Sequence, residues 1–300
     1  MIDFERTAAQ VQQNLDVWQK ECDTAQRLSA LQIKAAVKEY LAANPTPPDI
    51  GTLHQLAPLL LKRSHNEDAL HASSNEALAL INALLESYPD FTPDEQEQEH
   101  RIPCSLAISI AYFDSETFAN AATRFASLFE AFSALPCQSF TEAVEEVTNG
   151  KATFALLPIE DSEQGKLTRF YEQIDHFELH VIAAFDVLLH TGDTKVRVAL
   201  VGKSLLALPQ RPAANVLECM LYEESKYSLT TLLKTAEAMD LVLWRIDSLP
   251  ISYRADGFFK HLVFEGSPNA CRKLRTYIAL FMPRTSITAD YILLKDDQGK

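Results

Sequence analysis

The chain has 300 residues, 47% hydrophobic and 23% charged, the balance of a globular protein with room for two or three cores rather than of a disordered one. Its formal net charge of −14 excludes a nucleic-acid-binding face, because phosphate contacts need clustered Lys and Arg. The opening MIDFERTAAQ lacks the basic and apolar regions of a secretory signal, and no apolar run has the length of a membrane span, so no membrane partner is expected. The five cysteines (22, 104, 137, 219 and 271) are odd in number, far apart and without a CxxC pair. That usage fits reduced thiols and a cytoplasmic location. His176 and His180 lie four apart with no third ligand nearby, so neither a metal nor another cofactor is expected.

The first hundred residues carry 7 basic and 16 acidic side chains, −9 of the total charge, which makes this region a solvated acidic surface. Val11, Leu15, Trp18, Cys22, Ala25 and Leu28 recur at steps of three and four. After a small slip Ile33, Val37 and Leu41 continue the pattern, and the spacing predicts helix over 1–44. Asn44-Pro45-Thr46-Pro47-Pro48 ends it, because proline cannot continue a helix and restrains the residue before it. Two further helices are predicted over 51–63 and 73–88, separated by the polar loop 64–72. The acidic PDEQEQEH, 93–100, is a linker by composition. Residues 1–100 read as a helical packing or partner-binding module.

From Ser105 the pattern changes. SLAISIAYF is a strand and FANAATRFASLFEAF a helix. ALPCQSF is the next strand, and TEAVEEVTNG a helix closing on Asn149-Gly150. KATFALLPIE is a buried strand, followed by a turn and the helix GKLTRFYEQI. ELHVIAAFDVLLH and TKVRVALVG are two more strands. Strands alternating with helices predict an α/β sheet with parallel pairing over 101–205.

Residues 206–300 follow another order. NVLECMLYEE is a strand, SLTTLLKTAEAMD a helix, and LVLWRIDSLPI and GFFKHLVFEGS a strand pair turning at Arg254-Ala255-Asp256-Gly257. SPNACRKLRTYIALF is a helix opened by Ser267-Pro268, a cap plus a first-turn proline, and SITADYILLK closes as a strand. The order βαββαβ is ferredoxin-like, a fold whose sheet has one face under two helices and the other face and edges free for pairing or ligand binding.

Residues 105–190 resemble the first lobe of prephenate dehydratase, and 215–295 the ACT regulatory domain that follows it in that family. The family's opening strand-turn-helix is similar to IAYFDSETFANAATRFA, and its cysteine-containing strand and helix to PCQSFTEAVEEVTNGKATFALLP. Its Pro-Ile-Glu-Asn-Ser turn with a downstream glycine matches Pro158-Ile159-Glu160-Asp161-Ser162 and Gly165. Its Glu-Ser-Arg-Pro segment falls on Asp247-Ser248-Leu249-Pro250. The resemblance implies a fold of α/β and α+β parts: a helical front, a reduced periplasmic-binding-like lobe and an ACT-like domain. It also implies a small aromatic or carboxylate ligand and a homodimer formed through the ACT-like domain.

The departures from the family set the functional expectation. The turn's Asn is Asp161, and the family's Thr-Arg-Phe strand reads Val196-Arg197-Val198, a methyl for a hydroxyl. Literal Thr-Arg-Phe triplets at 123–125 and 168–170 fall in helices, where Phe inward and Arg outward is amphipathic packing. Only Thr191-Gly192-Asp193 separates LLH from TKVRVALVG, too little chain for the family's second lobe and enough for a hairpin turn. Glu160, Asp161, Ser162 and Gly165 are therefore expected to be a remnant turn rather than a working catalytic set. The ACT-like ligand positions are Ser228, Leu229, Asp247 and Ser248. Tyr227 and Leu249 replace a Gly and an Arg of the family there, which argues against phenylalanine in its usual pose. The reading is a catalytically inactive, ligand-binding or regulatory protein linked to aromatic amino acid metabolism. Its alternatives are an active prephenate dehydratase and a partner-binding module built on the acidic helices.

Overall fold

The computed structural model describes residues 4–43, 49–60, 74–89, 91, 101–103, 107–161, 165–166, 168–188, 195–207, 214–222, 229–250, 258–282 and 284–294. The expected loop 64–72, the linker 93–100, the turns at 191–193 and 254–257, and the candidate residues Ser162 and Ser228 lie outside them.

The front is helical as the periodicity predicts: α1 (Phe4–Ala43), α2 (Ile50–Leu60) and α3 (Ser74–Ser87). Asp49 starts α2, its Oδ1 accepting from the Thr52 amide at 2.7 Å and its Oδ2 from the Thr52 hydroxyl at 3.0 Å, which satisfies donors that the first turn leaves unpaired.

The middle of the chain runs β1 (Arg101–Pro103), β2 (Ile108–Phe113), α4 (Glu116–Ala126), β3 (Phe132–Cys137), α5 (Phe140–Thr148), β4 (Phe154–Asp161), β5 (Gly165–Lys166), α6 (Thr168–His176), β6 (His180–Leu188), β7 (Lys195–Gly202) and β8 (Leu205–Ala207). The predicted stop of α5 has a definite geometry. Gly150 sits at φ 73°, its amide bonds the Val147 carbonyl at 3.1 Å and the Lys151 amide bonds that of Glu146 at 2.9 Å. A glycine reaches this left-handed conformation without Cβ strain, so the crossed pair of bonds closes the helix.

Parallel pairing holds for β2 with both β3 and β4. It does not hold further along: β7 pairs antiparallel with β6, with Leu188 opposite Lys195, and antiparallel with β4. Six residues between Leu188 and Lys195 allow the chain only to turn back on itself, so β6 and β7 are neighbours and opposed. The short parallel pair β1–β8 was not predicted; three-residue strands carry too little periodicity to read.

The last third is β9 (Ala214–Tyr222), α7 (Leu229–Ala238), β10 (Val242–Pro250), β11 (Phe258–Gly266), α8 (Pro268–Phe281) and β12 (Thr285–Leu293). Ser267 caps α8 as expected, accepting from the Ala270 amide, with proline in the first turn. The order β10-β11-β9-β12, antiparallel throughout, is the ferredoxin-like arrangement. At its corner β12 pairs in parallel with β6 through Ile292↔Ala183 and Leu293↔Ala184. Among the described residues one ten-stranded sheet therefore runs through both parts, in the order β10-β11-β9-β12-β6-β7-β4-β2-β3, with β5 beside β4.

Three apolar clusters fill the molecule. In the first, Ile33 and Val37 of α1, Leu53 of α2 and Leu80, Ile81 and Leu84 of α3 share one core with Leu232, Leu274, Tyr277 and Phe281 of the α7–α8 layer. Arg272 of α8 ties the two together, donating to the backbone carbonyls of Tyr88 at 3.3 Å and Phe91 at 2.6 and 3.0 Å. The second cluster holds Phe170 and Ile174 of α6 together with Val216, Val263, Ala289 and Tyr291, the side of the ferredoxin-like sheet away from α7 and α8. The third, with Phe125 at its centre, packs α4 on the other face of the lobe. The Thr-Arg-Phe triplet at 123–125 behaves as amphipathic packing, with Phe125 buried and Arg124 exposed, and Phe170 of the second triplet is buried.

Candidate functional site

Of the candidate turn residues, Glu160 and Asp161 are carried by β4 and Gly165 by β5. β4 ends on Glu160 and Asp161, and β5 returns antiparallel beside it, pairing Glu160 with Lys166 and Asp161 with Gly165. On the other side of β4, Glu160 faces Arg197 and Asp161 faces Val196 in the register with β7, with an irregularity at Ile159. The sheet thus places on one rung the two positions that the family resemblance assigns to a shared site.

Neither Val196 nor Arg197 is available at that rung. Val196 is 6% exposed and sits in the lobe core with Ile182, Phe185 and Val198. The next residue points to the opposite face, and there Arg197 is engaged twice. Its Nε donates to Asp186 Oδ1 at 2.8 Å and its Nη2 to Oδ2 at 3.3 Å, a two-point grip between neighbouring strands. Its Cζ also lies 3.9 Å from the centre of the Trp244 ring on β10, so a cation–π contact joins the lobe to the far strand of the ferredoxin-like unit. Arg197 is buried, and its partners account for that.

The candidate ligand residues of the C-terminal part do not converge. Leu229 opens α7 and packs against the first core. Asp247 and Ser248 are consecutive on β10 and face opposite sides of the sheet. Ser248 Oγ accepts from Lys260 Nζ at 2.9 Å, in the open. Asp247 stands opposite His261. Its Oδ1 accepts from Arg245 Nε at 2.9 Å, while its Oδ2 is buried with no hydrogen-bond partner among the described residues.

A buried polar network lies on the same side of the sheet as Asp247, and the sequence reading missed it. Glu218 of β9 is 1% exposed and His261 of β11 is fully buried. The Glu218 carboxylate accepts from the Tyr171 hydroxyl at 2.6 Å and the Tyr291 hydroxyl at 2.8 Å. His261 Nε2 is 3.2 Å from Glu218 Oε2 and 3.4 Å from Thr288 Oγ1. Burying a carboxylate alone is costly; two phenols and an imidazole make it tolerable. Tyr171 belongs to α6, the helix directly after the candidate turn, so the network latches the lobe onto the sheet face that the βαββαβ order leaves free. One signal was legible: an acid between Leu217 and Cys219 in an otherwise apolar strand.

Ionisation of the three buried thiols is disfavoured. Burial, with the nearby Glu218 charge, pushes Cys219 up to about 12. Burial, with Asp290 and Glu265, does the same to Cys271. Cys137 is raised by burial, Glu142 and Glu146. Burial thus disfavours the thiolate, the form that attacks, at all three. Among the described residues no cluster of three or more His, Cys, Asp or Glu side chains is arranged to hold a metal ion, and no helix is long and apolar enough to cross a membrane.

The family model described as prephenate dehydratase matches residues 113–192, from the end of β2 to the connection between β6 and β7. No curated protein matches the chain. Among solved structures, prephenate dehydratase from Streptococcus mutans is similar at 19% identity and a TM-score of 0.49, covering 63% of this chain and 100% of that one. The quorum quenching acylase GqqA is similar at 19% identity and a TM-score of 0.46, with 61% and 94% covered. Prephenate dehydratase from Arthrobacter aurescens, in complex with L-Phe, is similar at 16% identity and a TM-score of 0.43, with 61% and 90% covered. The similarity to the prephenate dehydratase family model thus spans residues 113–192, less than half of the chain.

Proposed function

We propose that this chain is a non-catalytic relative of prephenate dehydratase that acts as a binding or regulatory protein linked to aromatic amino acid metabolism. One observation carries the reading: Val196, on the rung of Asp161, is a core residue at 6% exposure. A dehydratase needs a hydroxyl there, facing substrate, and positioned donors on both sides of it. In this chain a methyl group is packed inward, and β6 leads directly into β7 where the family inserts a second lobe. Asp161 adds an electrostatic objection. Prephenate is a dianion, and a third carboxylate about 4 Å away costs about 1 kcal/mol in bulk water and about 4 kcal/mol at a surface-like dielectric.

The C-terminal unit, ACT-like by resemblance, is where a ligand gains most. Asp247 Oδ2 is buried with no partner among the described residues, and an N–H donor from a ligand, such as the ammonium of an amino acid, would remove that cost. Two measurements test the reading. Purified protein is expected to convert prephenate to phenylpyruvate no faster than the spontaneous rate; turnover that falls in Ser162→Ala would establish an active dehydratase instead. A thermal-shift screen against prephenate, phenylpyruvate and the aromatic amino acids is expected to yield a stabilising ligand, with the shift lost in Asp247→Asn. A screen with no shift would remove the ligand-binding half of the proposal.

A further inference from the structure

We infer that residues 4–25 of α1 form a coiled coil with the same segment of a second copy of this chain. The apolar residues Phe4, Ala8, Val11, Leu15, Trp18, Cys22 and Ala25 are separated by steps of four, three, four, three, four and three. This is the 3.5-residue period of a seam between supercoiled helices rather than the 3.6-residue period of a helix lying on a core.

Nothing in the same chain covers the seam where its burial is described. From Gln12 to Leu28 every described side chain is exposed except Cys22, which is partly buried. Leu15 is 51% exposed and Trp18 is 65% exposed, although these are the residues a helix would bury first.

The seam stops where packing onto the body begins. Its next two positions are Ser29 and Gln32, and Ser29 Oγ instead donates to Glu76 of α3 at 3.0 Å. The residues that reach the core, Ile33 and Val37, lie one position out of phase with the seam. The long helix therefore carries two separate stripes, one for its own chain and one left over. At 1.5 Å per residue the leftover stripe is about 33 Å long.

The occupant is a second copy because the charge pattern is self-compatible. The positions flanking the seam are Glu5, Gln12, Gln19 and Gln26 on one side and Thr7, Asn14, Glu21 and Leu28 on the other. Parallel pairing sets Thr7 against Gln12, Asn14 against Gln19 and Glu21 against Gln26. Antiparallel pairing in the register that sets Glu5 against Gln26 and Gln12 against Gln19 sets Thr7 against Leu28 and Asn14 against Glu21. Neither brings acid against acid. Asp16, Asp23, Arg6, Lys20 and Arg27 all fall on the outer side. In a chain of net charge −14, flanks that are uncharged except at Glu5 and Glu21 are what two identical acidic helices require, whereas a different partner chosen by charge would need ionised ones throughout.

Sedimentation or light scattering on the full chain at micromolar concentration tests this. The wild type is expected at twice the 33.6 kDa chain mass. The double variant Leu15→Glu/Trp18→Glu is expected at the single-chain mass with an unchanged thermal midpoint. Leu15→Ile/Trp18→Leu, which keeps the seam apolar, is expected to stay dimeric. A wild type that remains monomeric at tens of micromolar overturns the inference. So does a double-Glu variant that remains dimeric, because the interface would then lie elsewhere.

Discussion

Removing the Tyr171 hydroxyl tests the latch between lobe and ferredoxin-like sheet without disturbing its packing. Tyr171→Phe keeps the ring, which lies 5.4 Å from the His261 ring and 5.0 Å from that of Phe170. It deletes one donor, the O–H at 2.6 Å from Glu218 Oε2. Glu218 is almost wholly buried, so water does not replace that donor, and a hydrogen bond to a charged group contributes about 1.5–3 kcal/mol. For a slope of about 3 kcal/mol per molar urea, a loss of about 2 kcal/mol moves the midpoint down by about 0.7 M. Glu218→Gln is expected to cost a similar amount. Its amide presents N–H₂ where one of three surrounding donors now points, so at least one phenol or imidazole donor loses its acceptor. Because the two residues share one bond, the double variant should be less destabilised than the sum of the singles by at least about 1 kcal/mol. Urea denaturation followed by fluorescence measures all four proteins. A Tyr171→Phe loss below about 0.5 kcal/mol, or strict additivity, would refute the reasoning: the carboxylate would then not depend on that phenol.

Three further outcomes are expected. Val196→Thr places a hydroxyl in the lobe core, so it should cost about 1–3 kcal/mol by denaturant titration and create no prephenate turnover; a gain of turnover would mean that the position faces substrate. Gly202→Ala would put its Cβ 2.6 Å from Phe154 Cδ1 and 3.1 Å from the Thr153 carbonyl oxygen, an overpacking that should cost about 1–3 kcal/mol in the same titration. Cys219 and Cys271 are raised from 9.0 to about 12, so between these pH values the unfolded thiols ionise while the folded ones stay protonated. Their contribution to stability is complete below about pH 9 and is lost as pH rises toward 12. Stability of the wild type should therefore fall more steeply over that window than stability of the Cys219→Ala/Cys271→Ala variant, and equal slopes would count against the burial of these thiols.

Almost every element longer than five residues was legible, because each carried a period and a punctuation mark. Asn149-Gly150 and Ser267-Pro268 fixed helix ends to the residue, since each motif solves a local hydrogen-bonding problem that does not depend on distant chain. The hairpin character of β6 and β7 followed from connection length alone. What stayed hidden was long-range. No local pattern reveals that β12 meets β6 at two residues, or that Arg197 of β7 reaches Trp244 of β10. The candidate site was legible in the same uneven way. Val196 and Asp161 were singled out separately through a resemblance, and only the register set them side by side. Asp247 and Ser248 were read as one ligand position, but adjacent strand residues face opposite ways. Glu218 and His261 stand 43 positions apart, and a single strand cannot announce which remote hydroxyls will meet it.

These long-range contacts decide which surfaces remain for association. A free ferredoxin-like unit would offer its helical layer, its open face and two edges. In this chain α1–α3 share a core with the helical layer, α6 occupies the open face through Phe170, Ile174 and Tyr171, and β6 takes the β12 edge. Among the described residues, the β10 edge, with Val242, Trp244 and Ile246 40% or more exposed, and the first half of α1 stay uncovered. Of the two, β10 is already disrupted as a pairing template, because Trp244 bulges out of register and an irregular edge resists strand addition. The helix has no such interruption over its seam. The helical layer, open face and β12 edge of the ferredoxin-like unit are thus filled from within the chain, and the α1 seam is the surface on which the inferred self-pairing is to be tested.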